Sequence, residues 1–126
     1  MPKSLQLLAI HPDRVAAAET SIPSEERLTG LVDTFQALAD LTRVRLLYAL
    51  ITGPLCVRDL AILVGVSESA VSHQLRYLRD RRLVKPRRDG NVIYYALDDT
   101  HVAALFREAD YHVDHVYRRL PDHPDR

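Results

Sequence analysis

Four residues that can ligate a metal ion lie close together in the C-terminal part of the chain: Asp99, His101, His112 and His115. At about 100° per helical residue, His112 lies roughly 20° around a helix from His101, and His115 lies roughly 40° to the other side. His112 and His115 are three residues apart and can hold one ion together, as can Asp99 and His101. The spacing therefore predicts two chelating pairs on one face of one helix.

The two pairs cannot meet at one ion within a single straight helix. Eleven residues at about 1.5 Å each separate His101 from His112 by roughly 16 Å, whereas metal–ligand bonds are about 2 Å long. If two such helices cross antiparallel in a dimer, the first pair of one chain meets the second pair of the other, which gives two equal sites. Three nitrogens and one oxygen suit tetrahedral Zn²⁺ or Co²⁺ and lack the thiolates that softer ions prefer.

The helix that carries these pairs is predicted from about Asp98 to Arg119 by an apolar stripe on another of its faces. That stripe lies about 100° from the histidines, which therefore flank the packing surface. Its members are Val102, Phe106, Ala109, Val113, Val116 and Leu120.

Earlier segments predict further helices that would position this one. The N-terminal helical segment is expected to break at Pro12, Ser24 predicts the cap of a core helix, and Thr42 predicts the cap of the next helix, which ends at Gly53-Pro54. The apolar residues of the core helix are Leu28, Leu31, Val32, Phe35, Leu38 and Ala39.

A helix-turn-helix is predicted in the middle of the chain, with a first helix from about Val57 to Val64, a turn at Gly65 and a second helix capped by Ser67. We expect Ala70, Val71, Leu75 and Leu78 to face inward. Ser69, Ser72, His73 and Gln74 are predicted near base edges of DNA, although Gln74 could instead face the helix–helix contact. Together with Ser67, Arg76, Arg79, Arg87 and Arg88, these residues form the predicted DNA-binding set.

A β-hairpin is predicted directly after the second of these helices. Leu83–Arg87 and Val92–Leu97 have strand character on either side of Asp89-Gly90, which is a strong turn signal. The hairpin would act as a wing whose basic residues Lys85, Arg87 and Arg88 reach the phosphate backbone.

The distribution of charge supports a phosphate-binding centre. The chain has 126 residues and a net charge of zero, but ten basic and four acidic residues lie between Leu41 and Tyr95, a local charge of +6. The flanks then sum to −6.

No apolar run reaches the roughly 18 residues of a membrane helix, which predicts a cytoplasmic protein without membrane contact. The single cysteine, Cys56, cannot form an internal disulfide.

These elements predict a mainly α (α+β) fold: a winged helix-turn-helix with a two-stranded β-hairpin wing, dimeric through its N- and C-terminal helices. We expect an N-terminal arm or helix at residues 1–22, a DNA-binding and dimerisation domain at 23–120, and a flexible tail at 121–126.

The sequence resembles the ArsR/SmtB family of metal-responsive winged-helix repressors from about Leu28 to Arg119. The matching segments are Leu-Ala-Asp-Leu-Thr-Arg-Val-Arg-Leu-Leu (38–47), Leu-Cys-Val-Arg-Asp-Leu-Ala (55–61), Val-Ser-Glu-Ser-Ala-Val-Ser-His-Gln-Leu-Arg-Tyr-Leu-Arg (66–79) and Tyr-Tyr-Ala-Leu-Asp-Asp-Thr-His-Val (94–102). The resemblance implies a homodimer that binds operator DNA and releases it on binding metal. In the family's zinc and cobalt sensors, the final-helix ligands fall at positions that match Asp99, His101, His112 and His115.

Further ligands are implied by the same resemblance. Arg58 replaces the second cysteine of the Cys-Val-Cys-Asp segment found in the family's arsenic, cadmium and lead sensors, which argues against a thiolate-rich site. Some relatives hold a second metal with ligands that match Cys56 and Asp59 and with the partner's N-terminal arm, where His11 and Asp13 lie. Nickel and cobalt sensors recruit tail histidines, and His123 is such a residue, so Ni²⁺ joins Zn²⁺ and Co²⁺ as an expected cofactor.

Two other functions are consistent with these residues. A family member that senses no metal could respond through oxidation of Cys56. A hydrolytic zinc enzyme is the less favoured alternative, because four protein ligands fill the predicted coordination shell and leave no open position for a water molecule. We therefore expect a regulator and not an enzyme.

Overall fold

A computed structural model describes residues 8–118 of the chain. The chain divides into two compact units, Met1–Gln36 and Ala37–Arg126. Six helices and three strands occur in the described part. The predicted segment boundaries after residues 22 and 120 stay predictions, and the tail from 121 lies outside the described residues.

The first unit carries helix α1 (Pro12–Ser21) and most of helix α2 (Glu25–Leu38). Residues 8–11 are not helical and Pro12 begins α1, so the predicted break lies directly before this helix. Proline fits the first turn of a helix, where its missing N–H has no partner to lose. The hydroxyl oxygen of Ser24 accepts a hydrogen bond from the backbone N–H of Arg27 at 3.3 Å, as expected for the cap of α2.

The prediction that α2 is a core helix holds only in part: Leu38 packs against the core, but much of the predicted stripe is exposed in this chain. Its apolar residues Leu31, Val32 and Phe35 are 43%, 54% and 58% exposed, and Ala39 is exposed beyond the helix end. Ala37, which the predicted stripe omitted, is fully buried. Helical periodicity identifies residues that share a face, but it does not reveal what covers that face.

The second unit carries helices α3 (Leu41–Ala49), α4 (Val57–Val64), α5 (Glu68–Asp80) and α6 (Thr100–Arg118). They enclose one apolar core, and burial of each large aliphatic side chain contributes about 1.5–3 kcal/mol to stability. Its fully buried large side chains are Leu46, Leu47, Leu60, Val71, Leu75, Leu78 and Val84.

Asp40, and not Thr42, caps helix α3. The Asp40 carboxylate accepts a hydrogen bond from the backbone N–H of Arg43 at 3.0 Å, and its own backbone is extended. Thr42 lies inside the helix because α3 begins at Leu41. The sequence offers both residue types within three positions, and backbone geometry selects the residue just before the first helical turn.

The wing belongs to a three-stranded antiparallel sheet in the order β1-β3-β2, formed by β1 (Leu55–Cys56), β2 (Val84–Asp89) and β3 (Val92–Leu97). The sequence predicted the long hairpin but missed β1, because two residues are too short to show an alternating pattern. Asp89 pairs with Val92, so the connecting residues are Gly90 and Asn91. Gly90 has φ +64°, which glycine adopts without steric cost.

Helix α6 begins at Thr100, two residues later than predicted, because the backbone N–H of Asp98 donates to the carbonyl of Leu83 at 3.1 Å. Its apolar stripe divides into two parts. Val102 and Phe106 are buried, whereas Ala109, Val113 and Val116 are exposed. Arg119 and Leu120 lie outside the described residues. The C-terminal half of α6 therefore presents an apolar surface that this chain does not cover.

Candidate nucleic-acid interface and metal centre

Helices α4 and α5 form the predicted helix-turn-helix. Gly65 ends α4 in the left-handed conformation, with φ +78°, and its N–H donates to the carbonyl of Ala61 at 2.8 Å. The Ser67 hydroxyl oxygen accepts from the backbone N–H of Ala70 at 3.0 Å and caps α5. Ala70 is exposed, contrary to the prediction, because the cap places the first turn of α5 at the surface.

The outer face of α5 carries most of the residues predicted to contact DNA. Ser69, His73, Arg76 and Arg79 are exposed, and Ser72 is half-buried. The Arg79 guanidinium lies 3.2 Å from the Asp80 carboxylate, so part of its charge is already balanced. These positions fit a helix that enters the major groove, and their individual DNA contacts stay predictions.

Gln74 is half-buried and lies on the side of α5 that faces α3. Its side-chain oxygen accepts a hydrogen bond from Nη1 of Arg43 at 3.4 Å. The Arg43 guanidinium carbon also lies 4.4 Å from the centre of the Tyr77 ring, and that of Arg81 lies 3.7 Å from it. Sequence reasoning missed this cluster. The spacing of Tyr77 and Arg81, one helical turn apart, was its only local signal.

The wing presents Lys85, Arg87 and Arg88 as exposed residues of β2. Arg87 pairs with Tyr94 across the sheet, and its guanidinium carbon lies 6.0 Å from the centre of the Tyr94 ring. A salt bridge joins Arg58 of α4 to Glu68 of α5 at 3.9 Å. Both side chains are exposed, so this ion pair contributes little to stability.

The first predicted metal-ligand pair lies at the N-terminal end of α6, but Asp99 precedes the helix, which begins at Thr100, so this pair is not on one helical face as predicted. The Asp99 carboxylate accepts a hydrogen bond from the backbone N–H of His101 at 2.8 Å, and its other oxygen lies 3.3 Å from Nδ1 of His101. The backbone hydrogen bond is the main reason that the pKa of Asp99 lies below its ordinary value. The His101 side chain is 85% exposed, so its imidazole is accessible to a ligand.

The second predicted pair, His112 and His115, lies exposed on the C-terminal half of α6. Among residues 8–118 no group of three or more potential ligands converges, so one chain offers pairs and not a complete site. This agrees with the length of the helix between the pairs. Three imidazoles and a carboxylate form a donor set that fits Zn²⁺ or Co²⁺ when two chains contribute.

The residues of the predicted second site are spread over both units. Cys56 is half-buried at the N-cap of α4, and Asp59 is exposed in its first turn. His11 occupies the N-cap position of α1 without a side-chain capping hydrogen bond, and Asp13 lies in the first turn of that helix. The structure brings no cluster of three ligands together from these residues either. His123 lies outside the described part of the chain.

Helix α6 also contacts helix α3 through an aromatic pair. The rings of Tyr48 and Phe106 have centroids 4.9 Å apart and planes inclined by 38°. Burial raises the pKa of the Tyr48 hydroxyl, and the Asp110 carboxylate raises it further. Tyr48 therefore lies against the middle of the helix that carries the predicted ligands His101, His112 and His115.

Comparison with known proteins supports this assignment of the fold. Residues 40–85 match the model of a family described as bacterial regulatory protein, arsR family. The chain is similar to the transcriptional repressor SmtB homolog of Synechocystis, with 47% identity over 82% of this chain and 79% of that protein. It is also similar to the cadmium resistance transcriptional regulatory protein CadC homolog of Staphylococcus aureus, with 38% identity over 82% of this chain and 85% of that protein.

The HTH-type transcriptional regulator NmtR of Mycobacterium tuberculosis shares 50% identity over 82% of this chain and 88% of its own length. The solution structure of apo-NmtR superposes with a TM-score of 0.65 and covers 83% of this chain and 90% of that structure. These relatives are transcriptional regulators, which sets aside the hydrolase alternative. Within residues 8–118, no helix combines the length and apolar character needed to cross a membrane. The chain belongs to the ArsR/SmtB family of winged helix-turn-helix transcriptional regulators.

Proposed function

We propose that this protein is a metal-responsive repressor that binds operator DNA as a homodimer in its metal-free form and releases the DNA when metal binds. The observation that carries the proposal is the Asp99–His101 contact at one end of α6, together with exposed His112 and His115 near its other end. Two relatives, a transcriptional repressor and a cadmium resistance regulator, support the same role.

DNA binding is assigned to α5 and the wing. The α5 helices of a dimer would enter successive major grooves, about 34 Å apart, on a near-palindromic site. Ser69, Ser72 and His73 would lie near base edges, and the basic side chains would contact phosphates. These basic residues are Arg76 and Arg79 of α5 and Arg87 and Arg88 of the wing.

Dimerisation is supported by apolar surface that the single chain leaves exposed. Leu31, Val32 and Phe35 form such a surface on α2, and Val113 and Val116 form another on α6. Exposed apolar patches of this kind usually mark protein–protein contacts. Antiparallel pairing of two α6 helices would cover the second surface and would bring the two ligand pairs of different chains together.

A Zn²⁺, Co²⁺ or Ni²⁺ ion bound there would supply a rigid bond between the subunits. Asp99 and His101 of one chain and His112 and His115 of the other would hold it. The hydrogen bond from the His101 backbone fixes the carboxylate before the ion arrives. The bound ion would stabilise one dimer geometry. A coupling free energy of about 1–3 kcal/mol between metal binding and DNA binding is enough to weaken operator binding 5- to 150-fold.

The deciding experiment uses DNA selected from a random pool by the metal-free protein. We expect the affinity for this DNA to fall when Zn²⁺ or Co²⁺ is added, and the absorption of bound Co²⁺ to report tetrahedral coordination. An octahedral cobalt spectrum with a stronger nickel response would instead indicate recruitment of further ligands such as His123. If none of the three ions changes DNA binding but peroxide abolishes it, the protein senses oxidation through Cys56 and not a metal ion.

The cytoplasmic location and the use of Cys56, Asp59, His11 and Asp13 as a second metal site stay predictions. A second site would bind one additional ion per chain. The stoichiometry of zinc binding in wild-type protein and in Cys56→Ser therefore tests it directly.

A further inference from the structure

Helix α3 contacts α5, the helix predicted to enter the DNA groove, with one side chain and α6 with another. Arg43 contacts α5, and Tyr48 contacts α6. The two residues are five positions apart, which places them roughly 140° apart around α3 and about 7.5 Å apart along it. Helix α3 therefore contacts both α5 and α6, on different sides.

At the first of these contacts, the Arg43 guanidinium joins three parts of the chain. Its Nε–H donates to the backbone carbonyl of Ala37 at 2.7 Å, at the end of α2. Its Nη1 donates to the side-chain oxygen of Gln74, and its plane lies near the Tyr77 ring. A planar guanidinium makes these contacts together, whereas the point charge of a lysine cannot. Gln74 and Tyr77 thus depend on where Arg43 is held.

At the second contact, the Tyr48 ring packs against Phe106. Phe106 lies within α6 between His101 and His112, and it is only 8% exposed. Tyr48 itself is 43% exposed, and its ring contact with Phe106 is the point at which a displacement of α6 would reach α3.

Between these contacts, α3 is held as a rigid element. Leu46 and Leu47 are fully buried, and Leu50 just beyond the helix is 2% exposed. Close-packed interiors move as units and transmit displacement instead of absorbing it. A shift at Tyr48 would therefore reach Arg43.

We propose that Arg43 is a positioning residue for DNA recognition, and that α3 transmits displacements of α6 to α5 through Tyr48 and Arg43. The identity of the effector rests on the proposed function above. The mechanical link itself exists with or without metal and can be tested in the metal-free protein.

The first test measures the link without metal. The Nε–H signal of Arg43 and the side-chain amide signals of Gln74 are followed by NMR in Tyr48→Leu, with Ile51→Ala as a control that also trims a partly exposed apolar residue near α3. We expect both signals to shift in Tyr48→Leu and to stay in place in Ile51→Ala. Signals that do not move in Tyr48→Leu overturn the link.

The second test measures regulation. Zinc affinity and operator affinity with and without zinc are compared for wild type, Tyr48→Leu, Arg43→Lys and the double variant, with Arg45→Lys as the charge-matched control on α3. We expect zinc affinity within about threefold of wild type and a zinc effect on DNA binding reduced at least fivefold. The double variant should lose no more than the single variants, because both interrupt the same path.

Two results of these affinity measurements would contradict the proposal. One is a full zinc effect in folded Tyr48→Leu and Arg43→Lys. The other is loss of zinc binding together with the response, which would place Tyr48 in the metal site and not in the path. Tyr48→Phe keeps the ring and should restore the response. A wild-type protein that ignores metal would refute the proposed function, while the NMR arm still decides the link.

Discussion

The carboxylate of Asp99 holds the backbone N–H of His101 at 2.8 Å, and its second oxygen lies 3.3 Å from the imidazole of the same residue. One short turn therefore sets the orientation of two potential ligands before the first buried residue of α6, Val102. An ion at this end needs ligands from elsewhere, because among the described residues no third potential ligand joins the pair.

Replacement of His112 by alanine should abolish the zinc response and leave metal-free DNA affinity nearly unchanged. The reason is that His112 is exposed on α6 and supports no part of the core. Operator binding with and without zinc measures the effect, and Arg107→Ala, an exposed change on the same helix, is the control. Equal loss of metal-free DNA binding would show that His112 has a structural role.

Zinc binding should weaken below about pH 6, because an imidazole must be neutral to coordinate a metal. The pKa of Asp99 is lowered, so its carboxylate remains ionised in that range and its own contribution is lost only at a lower pH. A zinc-binding profile from pH 5 to 8 should therefore show proton competition by histidine. Asp99→Asn should weaken zinc binding at every pH in this range, and the further loss of binding below about pH 6 should remain because the histidines are still present. Zinc binding that no longer falls with pH in this variant would contradict the assignment.

Arg88→Ala in the wing should weaken binding to all DNA sequences and reduce the slope of log affinity against log salt by about 1, because each phosphate contact releases about 0.9 counterion. His73→Ala should instead alter sequence preference at one position of each half-site. Affinities measured from 50 to 200 mM salt on selected and random DNA separate the two effects. A wild-type salt slope in Arg88→Ala would place the wing away from the phosphates.

Leu75→Ala should lower the free energy of unfolding by about 2–5 kcal/mol, because it leaves a cavity beside a fully buried position of α5. Leu63→Ala makes the same chemical change at a side chain that is 64% exposed and should cost far less. Urea denaturation at one fixed protein concentration measures both, since dimerisation adds to stability. Similar losses in the two variants would contradict the described core.

Asp40→Ala should destabilise the protein by about 0.5–2 kcal/mol through loss of the α3 cap. Thr42→Ala, two positions later, should have a much smaller effect because Thr42 does not cap this helix. Asp40→Asn retains a side-chain oxygen and should recover most of the loss. Thermal unfolding of the three variants compares them, and a larger effect of Thr42→Ala would mean that the cap lies where the sequence alone suggested.

The order of the helices, the helix-turn-helix, the long hairpin and the proximity of Asp99 to His101 could be predicted from sequence. These features depend on short-range spacing, on cap residues such as Ser67 and on the 3.6-residue period. The exposed faces of α2 and α6 could not be predicted, because periodicity describes a face and not the surface that covers it. The missed strand β1 was too short to produce a pattern.

The sequence by itself determined which chemistry this chain can carry: a carboxylate, three imidazoles and a basic recognition helix at fixed positions along the chain. Only the tertiary structure decided how these positions are connected. It placed Arg43 against Gln74 and Tyr77, 31 and 34 residues away, and Tyr48 against Phe106, 58 residues away. Contacts at such separations arise from packing of the whole core, which local spacing does not encode.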